Sequence, residues 1–198
     1  MKLNAIETIQ NGVQLGLKSF PALVVNGILY GLTVWIPYLN IGTTIAMINL
    51  PARIARDESL SMTEIFDPKY RENFGEVFLA MGLVTAGLLA GFSMFFFPAY
   101  ILSIAWSLAV LLVIDKKLEP MAALRKSFEL TNGNKWAIWL SSFLFLLAVG
   151  IGAGVLNFIG GLITPLLGKF FVLVIMILIV PIRIGIAAEI YKKLTSNG

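Results

Sequence analysis

The chain has 198 residues, of which 58% are hydrophobic and only 13% are charged, and its formal net charge is +4. A soluble domain carries about 25% charged residues. These side chains are too few to cover a globule in water, so we predict an integral membrane protein. The sequence contains no cysteine and no histidine. It therefore offers no disulfide or thiolate metal site, and it lacks the commonest metal ligand and general base.

Three long apolar runs predict the membrane-spanning helices. Each run is too long for one span, which needs about 20 apolar residues, and suits two spans joined by a tight turn. Residues at which helices end easily, Pro and Gly, lie near the middle of each run. These turn signals are Pro37, Pro98 and the stretch 157–168. The predicted hairpins cover about 19–56, 73–115 and 136–191.

An amphipathic segment precedes each predicted hairpin. The segments cover about 4–18, 57–72 and 116–135. The apolar positions of the first recur at helical spacing; they are Ile6, Ile9, Val13 and Leu17. The second has a similar pattern that Pro68 interrupts; its apolar residues are Met62, Ile65 and Phe66.

The third segment has the clearest helix signals. Pro120 suits a first helical turn, where its missing N–H costs nothing, and Gly133 follows Asn132 as a stop signal. Between them, the apolar positions recur every three or four residues, with charged side chains turned away. The apolar positions are Met121, Leu124 and Phe128, and the charged ones are Arg125, Lys126 and Glu129. We predict a helix of about 13 residues along the cytoplasmic face.

The basic residues avoid the predicted hairpin tips, with Lys169 as the one exception. Short cytoplasmic segments are enriched in Lys and Arg, so we expect both termini to be cytoplasmic. The predicted fold is thus a single all-α membrane domain over 1–198. It has six transmembrane helices arranged as three hairpins, each preceded by a cytoplasmic amphipathic segment.

Several motifs resemble a known family. They are Ala52–Glu58 followed by Glu64-Ile-Phe66, then Phe97–Leu102, then the run "SIAWSLAVLLVIDKKLEPMAALRKSFELTNGNKW" from Ser103 to Trp136, and finally Pro181 with Ala187–Leu194. They resemble the bacterial multi-pass membrane family catalogued as domain of unknown function 975. They are more loosely akin to the membrane domain of some glycerophosphodiester phosphodiesterases. The resemblance covers about 52–194, with Pro98-Ala99 standing where the family has proline-glycine. It implies a topology in the bacterial inner membrane and no catalytic residues.

Polar side chains inside apolar spans are the first functional candidates, because burying them in lipid is costly. The candidate buried polar or pore-lining residues are Asn26, Asn49, Arg53, Arg183 and Glu189. For Arg183 two readings stay open. Its side chain either snorkels to the inner interface as an anchor, or it has a buried role, such as pairing with Glu189 of a neighbour or holding an anion. Asp115 is expected to be an interfacial residue.

A second candidate site is basic and faces the cytoplasm. Cations mixed with an amphipathic ring beside a span are typical of contacts with anionic headgroups and the interface. We predict a surface for lipid headgroups or a partner made of Lys116, Lys117, Arg125, Lys126, Lys135 and Trp136.

Enzyme chemistry finds no support in the sequence. Without histidine there is no HExxH helix and no Ser-His pair, no predicted span has an Asp in its interior, and no phosphate-binding Gly-x-x-x-x-Gly-Lys loop is present. We therefore predict no enzyme, no cofactor and no metal site.

The expected role is binding lipid or a protein partner through the cytoplasmic amphipathic helices. The alternative is a small oligomeric channel or transporter for an ion or small solute. Membrane lipids are the expected partners, a homo-oligomer or a membrane-protein partner stays open, and nucleic acid is not expected.

Overall fold

The computed structural model describes residues 2–94 and 96–196, so positions 1, 95, 197 and 198 of the predicted domain lie outside the described residues. Within these ranges the chain forms nine α-helices and two short 3-10 turns and has no strand, which confirms the predicted all-α class. The helices are α1 (Ala5–Lys18), α2 (Phe20–Thr33), α3 (Leu39–Ala55), α4 (Phe74–Ser93), α5 (Phe97–Ala105), α6 (Ala109–Lys116), α7 (Pro120–Thr131), α8 (Lys135–Ile163) and α9 (Pro165–Thr195). The 3-10 turns are Glu64–Phe66 and Pro68–Arg71.

Four helical stretches are long and apolar enough to cross a membrane. They are α4, α5 with α6, α8 and α9. The pair α1 and α2 passes the same test together, but it is bent by 82° between its two helices. At about 1.5 Å per residue, the 14 residues of α2 and the 17 of α3 extend only about 21 and 26 Å. The first predicted hairpin is therefore the shortest.

The packed core lies at one end of the molecule. It is formed by the C-terminal part of α3, by α6 and by the C-terminal third of α9, where Leu50, Val113 and Tyr191 are almost completely buried. The far halves of α8 and α9 are exposed instead, as at Leu162 and Leu166, which are 73% and 78% exposed. A bilayer is the solvent that makes such an apolar surface stable.

Helix α1 lies antiparallel to the end of α9. Its Gly16 is next to Pro181, its Gly12 is next to Ile186, and its Glu7 is bonded to Lys193. The face that packs is made of small residues: Ala5, Thr8, Gly12 and Gly16. The predicted helix is confirmed. Two members of its predicted apolar stripe, Ile6 and Leu17, are exposed, whereas Ile9 packs against the core. The close approach of the backbones requires residues without bulky side chains at the contact.

The predicted amphipathic segment 57–72 does not form a helix longer than its two 3-10 turns. Pro68 breaks the pattern, and the Asp67 side chain accepts a hydrogen bond from the backbone N–H of Lys69 at 3.0 Å, which favours a turn. The side chain of Asn26 also holds this segment. The segment is therefore a loop folded onto the bundle, not a surface helix.

Helix α7 begins and ends as predicted, and Gly133 has the positive φ of 76° that its stop signal requires. Its packed face differs from the predicted one. Ala123, Leu124, Ser127 and Thr131 are buried against α4, α5 and α6, whereas Met121 and Phe128 are 56% and 44% exposed.

Two hydroxyl groups of α7 satisfy the backbone where α5 and α6 are interrupted. Ser127 Oγ accepts from the N–H of Leu108 at 3.2 Å and donates to the carbonyl of Ala105 at 2.7 Å. Thr131 Oγ1 donates to the same carbonyl at 3.2 Å. Irregular backbone within a membrane protein is tolerated where protein covers it, and α7 supplies that cover.

We expect Gly12→Ala to destabilise the protein, because the added Cβ would lie 2.6 Å from the Cα of Ile186. Overpacking of this kind costs about 1–3 kcal/mol. The matched control is Gly152→Ala, since a Cβ at Gly152 meets no atom within 4 Å. Thermal unfolding in detergent should show a lower transition for Gly12→Ala only, and equal transitions for both variants would contradict the tight α1–α9 contact.

We expect Ser127→Ala to be destabilising as well, because it leaves the buried N–H of Leu108 without its acceptor. An unsatisfied buried donor costs about 1–3 kcal/mol. Ser103→Ala is the control, as that exposed hydroxyl only donates within its own helix, to the carbonyl of Tyr100. Hydrogen exchange at residues 105–109 should quicken in Ser127→Ala and stay unchanged in the control.

Candidate functional site

The charged residues gather at the core end of the molecule, which we call the charged end. It comprises the last turns of α3, α6 and α9 together with the loop between α3 and α4. Two carboxylates lie at its centre: the Glu64 side chain is 6% exposed and the Asp115 side chain is 1% exposed. A buried carboxylate is stable only if it is paired and hydrogen-bonded, and both are.

Glu64 is the centre of the first ion-pair network. It forms an ion pair with Arg53, accepts from Lys69 Nζ at 2.9 Å and accepts from the Tyr70 hydroxyl at 2.8 Å. Arg53 also donates from Nε to Glu58 at 2.7 Å. The predicted candidate Arg53 is thus fixed at the end of α3, and its side chain is only 15% exposed.

Opposing influences set the ionisation of this network. Burial alone would raise the pKa of Glu64, but the hydrogen bonds from Lys69 and Tyr70 and the charge of Arg53 outweigh it, so this pKa is lowered. Burial lowers the pKa of Lys69, but its bonds to Asp67 and Glu64 outweigh this effect and raise it. Burial and the bond to Glu64 raise the pKa of Tyr70. Glu64 and Lys69 therefore stay charged at neutral pH.

Asp115 joins three helices. It forms an ion pair with Arg56 from the end of α3 and accepts a hydrogen bond of 2.5 Å from the hydroxyl of Tyr191 on α9. Asp115 itself lies in the last turn of α6. Its side chain is 1% exposed, so it is more buried than the interfacial position that the sequence predicted.

Two further contacts tie α1 to the end of α9. Glu189 accepts from Asn11 Nδ2 at 2.9 Å and lies 3.3 Å from Lys193 Nζ. Asp57 lies between Lys18, at 2.9 Å, and Lys192, at 3.2 Å. The candidate Glu189 is therefore occupied by partners from its own chain.

The candidate Asn26 connects α2 to the loop between α3 and α4 by hydrogen bonds. It is fully buried, and its Nδ2 donates to the carbonyls of Ala22 and Ser61 at 2.8 Å each. Its Oδ1 accepts from the N–H of Ile65 at 3.0 Å. These bonds hold the loop of the charged end against α2. They occupy both N–H donors of the amide and its oxygen.

The candidate Asn49 lies elsewhere, at the edge of a cavity of about 160 Å³ that Lys69, Tyr70 and Lys117 also line. Its side chain is nearly buried, and its Oδ1 has no hydrogen-bond partner in the part of the chain that the structure describes. Such a cavity is large enough for ordered water, which commonly satisfies an atom of this kind.

Arg183 differs from all the other candidates. It projects from α9 into a crevice of about 370 Å³, which α3, α6 and α8 complete. The residue is exposed, and its guanidinium forms no ion pair or hydrogen bond with a residue in 2–94 or 96–196. The snorkelling anchor and the buried role, including pairing with Glu189 of a neighbour, both stay predictions; within this chain Glu189 is held by Asn11 and Lys193.

The outer side of α7 and the start of α8 form a second exposed surface. We call it the α7 surface and define it by Met121, Arg125, Lys126, Phe128, Lys135 and Trp136. Lys135 Nζ lies 4.1 Å from the centroid of the Phe128 ring, and Trp136 is 71% exposed. Trp136 also lies against Trp139, with 4.6 Å between ring centroids. Lys116 and Lys117 are exposed nearby along the chain.

The long apolar helices are compatible with an α-helical membrane protein. No protein-family model matches it, and neither a curated protein nor a solved structure does. The resemblance to the family of unknown function 975 therefore stays a prediction that rests on the motifs quoted above.

Sequence reasoning found Arg53 but not its partners. Glu64, Lys69 and Tyr70 belong to a segment that was assigned to an amphipathic helix, and they meet only because that segment folds into turns. The small residues Gly12, Gly16 and Gly185, which pack α1 on α9, were also missed. Their four-residue spacing in α1 is a detectable signal for close helix contact.

The lowered pKa of Glu64 predicts acid sensitivity. An ordinary Glu has a pKa of about 4.3, so the stabilisation from Glu64 is complete above this value and is lost as the pH falls through the lower folded pKa. We expect Glu64→Gln to lower the unfolding transition at neutral pH and to weaken its dependence on pH below about 4.5. Glu72→Gln is the control, because Glu72 is exposed on the same loop. Identical pH profiles for wild type and Glu64→Gln would refute this role.

Proposed function

We propose that this chain is a non-enzymatic, six-span protein of the bacterial inner membrane that binds anionic lipid headgroups through its cytoplasmic end. The charged end would face the cytoplasm, together with both termini. The six spans would be α2, α3, α4, α5 with α6, α8 and α9.

The distribution of charge supports this orientation. The ion-pair networks lie at the charged end, whereas the segments that join α2 to α3 and α8 to α9 carry no charge of their own. Arg71 of the charged end lies over the ring of Tyr38 in the first of these segments, 5.4 Å from its centroid. Cytoplasmic segments of membrane proteins are enriched in Lys and Arg. The shortness of α2 and α3 is compatible with spanning if the bilayer thins locally or flanking residues snorkel.

The α7 surface is the observation that carries the lipid-binding proposal. It combines exposed apolar side chains, as at Phe128 and Met121, with the cations Arg125, Lys126 and Lys135. The buried face of α7 is already used inside the bundle, so this second face is available to the membrane. Exposed rings and cations beside the start of a span suit the headgroup region, where each basic residue near an anionic surface contributes about 1 kcal/mol.

A channel has less support from the geometry. A water-filled path would need polar side chains that continue from helix to helix. Asn26 is hydrogen-bonded to the loop, Glu189 is paired on the α1 side of α9, and Asn49 and Arg183 line different cavities. We therefore favour lipid binding.

The test compares the wild type with the triple variant Arg125→Gln, Lys126→Gln, Lys135→Gln. We expect wild type to restrict spin-labelled phosphatidylglycerol more than spin-labelled phosphatidylcholine in electron paramagnetic resonance spectra of reconstituted membranes. The triple variant should lose most of this preference, because the attraction of its cations for anionic headgroups is gone.

Lys169→Gln is the control, since Lys169 lies near the opposite end of α9. It should keep the wild-type preference. Equal preferences in the wild type and the triple variant would overturn the proposal and direct attention to a protein partner for the same surface.

A further inference from the structure

The crevice around Arg183 has the shape and size of a binding site. Its volume of about 370 Å³ lies within the range of small-ligand pockets, about 300–1,000 Å³. Its walls are mainly apolar; Leu111 of α6, Phe145 of α8 and Ile190 of α9 contribute to them. Four helices form it, so its shape is set by the packing of the bundle and not by a mobile loop.

The crevice has one charge and no counter-charge. None of the described residues that line it is a carboxylate, and Arg183 is its sole ionised group. Two hydroxyl groups are present: Ser107, between α5 and α6, donates to the carbonyl of Ile104 at 2.8 Å, and Ser142 donates to the carbonyl of Ile138 in α8 at 3.1 Å. Their oxygens remain able to accept a hydrogen bond. The other acids near this part of α9, Glu189 and Asp115, are held by their own cationic partners.

Arg183 lies between the charged end on one side and an apolar surface on the other. Arg183 lies eight residues before Tyr191, which is about 12 Å along the helix axis, and the hydroxyl of Tyr191 belongs to the charged end. In the other direction the exposed surface is apolar, as at Leu146, which lines the crevice, and Met176 of α9. A cation at this junction is costly unless an anion joins it.

We propose that this crevice binds one anionic lipid, with its phosphate on the guanidinium of Arg183 and an acyl chain along the apolar walls. Arginine suits a phosphate because its planar fork donates two parallel hydrogen bonds. The charge complements the headgroup, and the apolar wall complements the chain. The site is separate from the α7 surface, and it deepens the function proposed above by adding a second place that takes the same class of lipid.

The test is native mass spectrometry of the full chain released from detergent after titration with phosphatidylglycerol. We expect one lipid to bind the wild type tightly, and Arg183→Gln to weaken that binding roughly 10- to 100-fold, as expected for the loss of a charge-assisted hydrogen bond. Arg183→Lys should be intermediate, because it keeps the charge and loses the fork. Lys169→Gln on the same helix should bind as the wild type does.

A crevice-filling variant separates a lipid from a free phosphate. Ala187 lines the crevice, and Ala187→Leu should block the acyl chain while leaving Arg183 in place. We expect this variant to lose phosphatidylglycerol, and inorganic phosphate at the same concentrations not to displace the lipid from the wild type. If inorganic phosphate binds the wild type and Ala187→Leu equally well, the ligand is a soluble anion and the lipid assignment is wrong.

Thermal unfolding shows whether the variants are folded. Arg183 has no protein partner among the described residues. In lipid-free detergent, Arg183→Gln should therefore unfold at the same temperature as the wild type. Added phosphatidylglycerol should raise the transition of the wild type only, because a ligand that binds the folded state stabilises it. Binding of phosphatidylglycerol that is equal in the wild type and Arg183→Gln, or absent from the wild type, would overturn the proposal. Equal binding would leave the α7 surface untouched, whereas its absence from the wild type would also count against that surface.

Discussion

The structure depends on ion pairs whose carboxylates are buried at the charged end. Arg53 and Arg56, one helical turn apart at the end of α3, each hold a buried carboxylate, Glu64 from the following loop and Asp115 from α6. Removing one partner of such a pair leaves a buried charge that costs about 3–5 kcal/mol. The charged end therefore connects helices as well as forming a polar surface. Its ion pairs and the Tyr191 hydrogen bond link α3 to the loop, to α6 and to α9.

Against this background the guanidinium of Arg183 stands out, because it forms no ion pair with the described residues although it lines a crevice. At the charged end even a partly exposed acid, Asp57, has a cationic neighbour. The C-terminal part of α9 thus has one side whose charges are paired within the chain, through Glu189 and Lys193, and another side on which Arg183 has no such partner among the described residues. The proposed lipid phosphate would supply the missing counter-charge.

The sequence predicted the helices well where the signal was local. Pro120 and Gly133 marked the ends of α7, and the charge-free runs marked the long apolar helices. It failed where the result depended on packing between distant segments. Helical spacing identified an apolar stripe on α1 and on α7, but it could not show that the bundle would take the small residues of α1 and the hydroxyl groups of α7 instead. The partners of Asn26 and Glu64 were equally hidden, because they lie on a loop whose turns are set by tertiary contacts.

The contact between α1 and α9 has a consequence for biosynthesis. A ribosome makes α1 long before the segment that contains Gly185, so the small-residue face of α1 waits without its partner while the intervening helices enter the membrane. During that interval its exposed apolar stripe gives α1 a place to rest on the lipid surface. The contact forms only once α9 has been made, so a chain that stops short of α9 leaves the small-residue face of α1 without its partner.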